Sequence, residues 1–222
     1  MTSSAPSPSA SWAERVADRS EAVQRSRARQ IEQAQAIVAA ARRLIAERGD
    51  QFTTQELVKE ARVSLQTFYR IFGGKDQLLL AVFEDLIGES CVGYEERARD
   101  LPDPIARIRY YVMVTVGSVG GDGTDIGPRF TTAEHWRLYQ LFPEEMSHAT
   151  QHFTDLVARQ LVLANEEGLL DSSNPQRDAW FITKLVMAVF HHYAFADADD
   201  AAAIGEELWA FCARAIGVPI GT

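Results

Sequence analysis

Gln66, Thr67, Tyr69 and Arg70 are set among apolar residues in the eight-residue stretch Leu65 to Phe72. On a helix, Phe68 and Phe72 lie four apart and point inward with Leu65, which leaves the four polar side chains facing out. Their chemistry is that of groups that meet a nucleic-acid duplex. The Gln66 amide can pair bidentately with an adenine edge, the Thr67 methyl can meet a thymine methyl, and Tyr69 and Arg70 suit phosphates. The exposed face is polar without being acidic. Gly73-Gly74 then ends the helix and Lys75-Asp76 opens the next, so that Lys75 and the free amides of that helix end make an anion site of phosphate size. The alternative is an ordinary hairpin of core helices. In either case Phe68 and Phe72 are assigned to packing.

The preceding residues supply what such a helix needs in order to be presented. A short helix runs from the Thr53-Thr54 cap through Ala61, with Thr54 as the preferred N-cap and Leu57, Val58 and Ala61 on one buried stripe. A break at Arg62-Val63 follows. The Ser64 hydroxyl then caps the amides of the second helix.

The block TTQELVKEARVSLQTFYRIFGGKDQLL closely resembles the helix-turn-helix of TetR-type transcriptional regulators, with its Thr-Thr start, Val-Ser turn, aromatic core and lysine after a short loop. The likeness covers roughly residues 31 to 90. It implies phosphate contacts at Thr54 and Tyr69, base-facing positions at Gln55, Gln66 and Thr67, and a phosphate-binding lysine at Lys75. Ser64 and Arg70 complete the expected DNA-binding set. Two positions depart from the pattern. Arg62 stands where the turn usually has Gly, so either Arg bears a left-handed conformation at a cost of about 1 kcal/mol or the turn differs. Ile71 stands where many members place a phosphate-facing His or Tyr.

Charge at first argues against this partner, because the net charge of the 222 residues is -9. Its distribution removes the objection: residues 15–75 hold twelve Lys/Arg against seven Asp/Glu, while residues 91–222 hold ten against nineteen. The basic surplus sits on the proposed reader. Cys91 and Cys212 are too few for a disulfide framework and lack metal spacing, and are expected to be buried small hydrophobes. No apolar run reaches the roughly 18 residues of a membrane span, and MTSSAPSPSA lacks the pattern of a signal peptide. A cytoplasmic protein is expected.

The chain divides into an N-terminal extension (1–28), flexible or helical, a helix-turn-helix domain (29–75) and a helical ligand-binding and dimerisation domain (76–222). Residues 1–11 read as disordered. From Trp12 to Gly49 one long helix fits, or two with a break near Ser20 or Ser26, with an apolar stripe from Ile31 through Ala34, Ile37, Val38, Ala41 and Leu44 to Ile45. Arg25, Arg27 and Arg29 just precede it, either as a basic arm toward DNA or as a solvated face. Later helices are expected from Lys75, over Ile105 to Val119, from Pro143 to Gly168, from Asn174-Pro175, and over Ala201 to Ile216. Gly117 to Pro128 reads as a loop. The architecture is all-α.

The body holds an aromatic concentration suited to enclosing an apolar or aromatic small molecule. Tyr111, Phe130, Trp136, Tyr139, His152 and Phe153 are its candidate lining residues. His148 and His152 lie four apart on one helix, the spacing that lets two imidazoles share a metal. No third ligand is evident by spacing, so metal binding, cavity lining and an ordinary polar face all stay open, and no metal or cofactor is expected. His191 and His192 are adjacent, about 100 degrees apart on a helix, and cannot easily chelate together. From Ala179 to Phe190 nearly every residue is apolar, and such a helix must be covered all round. With the last helix it makes half of a four-helix bundle completed by a second copy, through Trp180, Val186, Phe190, Leu208 and Phe211; the resemblance implies the same dimer.

These features together point to a homodimeric repressor of a palindromic operator, released by a small-molecule inducer. A DNA-binding regulator without ligand control, or an activator, is the alternative. A helical enzyme is the remote one, and no catalytic constellation supports it.

Overall fold

The computed structural model describes residues 20–49, 51–119, 126–195 and 201–218. The expectation of disorder at residues 1–11 lies outside that range. Nine helices and no strand occur among the described residues: α1 (Glu21–Arg48), α2 (Thr54–Glu60), α3 (Leu65–Phe72), α4 (Lys75–Ala98), α5 (Pro104–Gly117), α6 (Ile126–Leu141), α7 (Pro143–Glu166), α8 (Pro175–Tyr193) and α9 (Ala201–Ala215). None of these helices is long and apolar enough to cross a membrane.

Helix starts follow local chemistry. Asp103 accepts from the Ala106 amide and Asn174 from the Arg177 amide, each just before a proline that needs no amide partner. Pro143 also stands at the start of α7, there without a side-chain cap, and Glu144 and Glu145 lie at the positive end of the helix dipole. Gly168 follows α7 in a left-handed conformation, which costs a residue without Cβ little. Of the two breaks weighed in the first long helix, the one at Ser26 does not occur; α1 starts after Ser20 and runs unbroken past Ser26, and residues 12–19 of the expected helix lie outside the described residues. The expected loop at 117–128 is shorter than foreseen, because Ile126 to Pro128 already belong to α6.

Two apolar cores hold the chain. The first joins Ile37, Ala41 and Leu44 of α1, Leu57 of α2, Phe68 and Phe72 of α3, Leu78 and Val82 of α4, Phe130 and Leu138 of α6, and Met146 of α7. The second lies in the body, among α5, α7, α8, α9 and the C-terminal half of α4. α4 therefore belongs to both. The α1 stripe holds from Ile37 onward, but Ile31 is half exposed. Ion pairs brace α1 across its neighbours: Arg43 to Glu60 at 2.9 Å, Arg48 to Glu56 at 3.0 Å and Arg42 to Asp85 at 2.8 Å. They are largely exposed, so water and salt screen them and their contribution to stability is small.

Candidate nucleic-acid interface and ligand cavity

The N-cap of α2 is Thr53, a correction of the expected Thr54. The Thr53 hydroxyl accepts from the Glu56 amide at 3.2 Å, and the Glu56 carboxylate accepts from the Thr53 amide at 2.8 Å. This reciprocal pair satisfies two amides and needs a Glu or Gln three residues after the cap. Hydrogen bonds from Thr53, then the charge of Arg48, hold the Glu56 carboxyl below its usual range. Thr54 becomes the first helical residue, half exposed, and Gln55 beside it is exposed.

The turn is closed by Arg62 in a left-handed conformation, φ 55°. Its amide bonds to the Lys59 carbonyl at 3.2 Å and the Val63 amide reaches the Val58 carbonyl at 3.0 Å. This is the bonding pattern that a glycine usually closes, so of the two readings of Arg62 the strained one is adopted. Ser64 then caps α3 as expected, accepting from the Thr67 amide at 3.0 Å. The Ser64 and Thr67 hydroxyls also share a hydrogen bond at 2.9 Å, so the methyl of Thr67 is the group left for an outside partner.

On α3, Phe68 and Phe72 are buried, while Gln66, Tyr69 and Arg70 are exposed and Thr67 is half exposed. Leu65 is the exception to the expected inward set: at 42 % exposure it stands at the solvent side of the first turn. Arg70 donates to Gln33 Oε1 on α1 at 3.2 Å, which steadies the outer face of α3 against the long helix. Gly73, φ 66°, ends α3, and a Cβ there would lie 2.5 Å from Gln77 Oε1. Lys75 opens α4 as foreseen, but its ammonium turns back to the start of α2. It donates to the Phe52 carbonyl at 3.2 Å and lies 4.4 Å from the Phe52 ring centre. The α4 amides have no side-chain cap.

Beneath the reader lies a cavity of about 270 Å³. Its walls are Phe83, Leu86, Ile87, Ser90, Cys91 and Tyr94 of α4, with Thr131 and His135 of α6, Thr150 and Phe153 of α7, Met187 and Phe190 of α8, and Thr115 and Ser118 at the end of α5. Thr115 and Thr150 spend their hydroxyls on carbonyls of their own helices, at 2.8 and 3.0 Å. His135 differs. It is 8 % exposed, its Nδ1 is buried without a hydrogen-bond partner, and its ring packs 4.5 Å from that of His191. Burial, and to a lesser degree the charge of Lys184, lowers the His135 pKa. Burial, then His135, lowers that of His191 to about 4. Both imidazoles are therefore neutral near pH 7. The Cys91 thiol, pushed up to about 11 by burial, is an inert part of the wall, and Cys212 is likewise buried.

Of the six expected lining residues, Phe153 alone lines the cavity. Tyr111 is 1 % exposed inside the body core, and Phe130 belongs to the reader-side core. Trp136 is 62 % exposed and Tyr139 36 %, while His152 is on the surface. The helical phase of α6 explains the exchange. Pro128, Thr131 and His135 recur at three- and four-residue spacing on the cavity side, which puts Trp136 on the next face round. That spacing was readable, but which face turns to the cavity was not.

Of the five expected interface residues, Val186 is fully buried and Phe190 and Leu208 nearly so within their own chain, which leaves little of them for a partner. Trp180 (44 % exposed) and Phe211 (53 %) do project, and Phe181 (51 %), not foreseen, projects beside Trp180.

Residues 37–82 match the family model described as bacterial regulatory proteins, tetR family. No curated protein sequence matches the chain. Among solved structures, a TetR-family transcriptional regulator from Pectobacterium atrosepticum aligns with a TM-score of 0.73 at 19 % identity, over 88 % of this chain and 99 % of its own. The regulator FadR of Bacillus subtilis, solved with stearoyl-CoA, gives 0.62 at 17 %, over 80 % and 96 %. FadR of Thermus thermophilus, solved with lauroyl-CoA, gives 0.65 at 19 %, over 85 % and 97 %. These identities speak for the fold. Residues 37–82 are thus a helix-turn-helix segment that matches the tetR family, mounted on an all-helical body whose fold is similar to that of solved TetR-family structures.

Proposed function

We propose that the protein is a homodimeric transcriptional repressor that binds a palindromic operator through α3 and leaves it when a small apolar molecule occupies the cavity. The observation that carries this reading is the double duty of α4 and α6. Both line the cavity, through Phe83 to Tyr94 and through Thr131 and His135. Both also hold the reader: Leu78, Val82, Phe130 and Leu138 share one core with Phe68 and Phe72, and Arg137 of α6 pairs with Asp76 in the first turn of α4 at 2.7 Å. A ligand that wedges these two helices apart favours one reader position over another. Differential binding of that kind couples sites by about 1–3 kcal/mol, or 5- to 150-fold in affinity.

In this reading Gln55, Gln66 and Thr67 meet base edges, Thr54, Tyr69 and Arg70 meet phosphates, and Ser64 fixes the helix that presents them. Lys75 reaches a phosphate by leaving Phe52. The wall chemistry fits a ligand that is mostly apolar and carries one hydrogen-bonding group for His135; the acyl chains of the CoA esters bound by the two FadR neighbours are likewise apolar. A second copy covers Trp180, Phe181 and Phe211 and spaces two readers for successive major grooves. The role is regulatory and not enzymatic.

The test is selection of a preferred duplex by the full-length protein, followed by anisotropy titrations across a salt series. A palindromic preference, a linear fall of log affinity with log salt, and release by medium-chain acyl compounds or simple aromatics support the reading. Tight binding that no such compound reverses removes ligand control. Absence of any sequence preference removes the operator.

A further inference from the structure

We propose that Glu84 of α4 and His148 and His152 of α7 form a binding site for one divalent transition-metal ion of the zinc class. The two imidazoles share one face of α7, four residues apart, with ring centres 5.8 Å apart. Glu84 arrives from the neighbouring helix. One ligand atom from each of the three lies within 4.8 Å of the other two. The three residues are exposed, and none lines the cavity.

Two observations set this group apart from a chance meeting of polar side chains. The first is its mounting. Val82 and Phe83 next to Glu84, and Met146 and Ala149 next to His148, are buried at 0 to 2 % exposure in a single core. The backbone of both helices is therefore held, while only the outer ends of the side chains are adjustable. The second is the spacing of the donors. His148 Nε2 stands 4.0 Å from Glu84 Oε1, beyond hydrogen-bonding reach, so the carboxylate and the ring face each other without being tied together. A tetrahedral ion with bonds of about 2.0–2.1 Å needs donors about 3.3 Å apart, which side-chain rotation alone can supply. Two imidazoles and one carboxylate are a donor set that suits zinc and leaves a fourth position for water. Calcium and magnesium, which take oxygen ligands, are disfavoured by the same set. Nothing in this site depends on the reader or on the repressor reading, and it stands or falls separately.

The experiment uses full-length, tag-free protein stripped with a chelator and titrated with zinc sulfate alone by calorimetry. The expected result is one ion per chain and a rise in melting temperature with zinc. Glu84→Gln weakens binding at least tenfold, and the double variant His148→Asn, His152→Asn abolishes both signals. Circular dichroism confirms that the variants keep their helices, which these exposed positions should allow. The exposed control His192→Asn must bind as the parent does. No saturable binding by the parent, or an unchanged isotherm in both Glu84→Gln and the double variant, overturns the proposal.

Discussion

The reader and the cavity share α4 yet are built on opposite terms. The caps and turns that set the course of the reader's backbone, from the Thr53 cap to the Gly73 end, lie within a continuous stretch of chain. The walls of the cavity come instead from parts of five helices between Phe83 and Phe190. Local structure answers to caps, turns and the 3.6-residue period, whereas a cavity answers to how separate helices are rotated against one another. The reader is thus specified in detail by few residues, and the cavity by the sum of many packing choices.

The largest expected effect probes whether this local reader is also independent. Val186 is fully buried in the body, far along the chain from α3. Val186→Asp leaves a buried charge unpaired and should cost about 3–5 kcal/mol or more. Because the first core runs from Phe68 to Met146, reader and body are expected to unfold together in one urea transition. Two separate transitions would show a reader that folds alone. Phe211→Asp, at an exposed position, should leave the helices intact and yield a monomer in sedimentation; a dimer would move the interface elsewhere.

Next in size is the division of labour on α3. Gln66→Ala should change base preference by about 1–3 kcal/mol at one operator position. Tyr69→Ala should instead weaken all sequences and lower the salt slope by about one unit. An identical selected operator for Gln66→Ala would take that amide out of base reading.

The cavity side is tested by pH. The His191 pKa is lowered to about 4 from an ordinary value near 6.5, so the folded chain binds fewer protons than the unfolded one between those values. Stability from this source is full above about pH 6.5 and is lost as pH falls toward 4. The melting temperature should therefore drop from pH 7.5 to 5.0 by more in the parent than in His191→Gln. Equal drops would mean that burial of this ring carries no linkage.

The smallest effect is at the turn. Arg62→Gly relieves the left-handed strain and should stabilise the chain by up to about 1 kcal/mol, read from the urea midpoint. A loss instead would mean that the Arg62 side chain holds more than the turn costs.

From the sequence alone, α3 was placed to the residue, with Ser64 as its cap, Phe68 and Phe72 inside and the polar set outside, because each follows from residue type and helical period. The start of α2 was missed by one residue, since two threonines in a row compete for one cap and only Glu56, three residues beyond Thr53, decides between them. Farther from the reader the period still marked apolar faces but not their partners. It could not say that His135 faces inward and Trp136 outward, or that Val186, Phe190 and Leu208 serve their own chain while Trp180 and Phe211 project. Nor could spacing bring Glu84 beside His148 and His152. Those juxtapositions depend on how α4, α6, α7 and α8 are rotated about their axes, and that is settled only when all the apolar faces are buried at once.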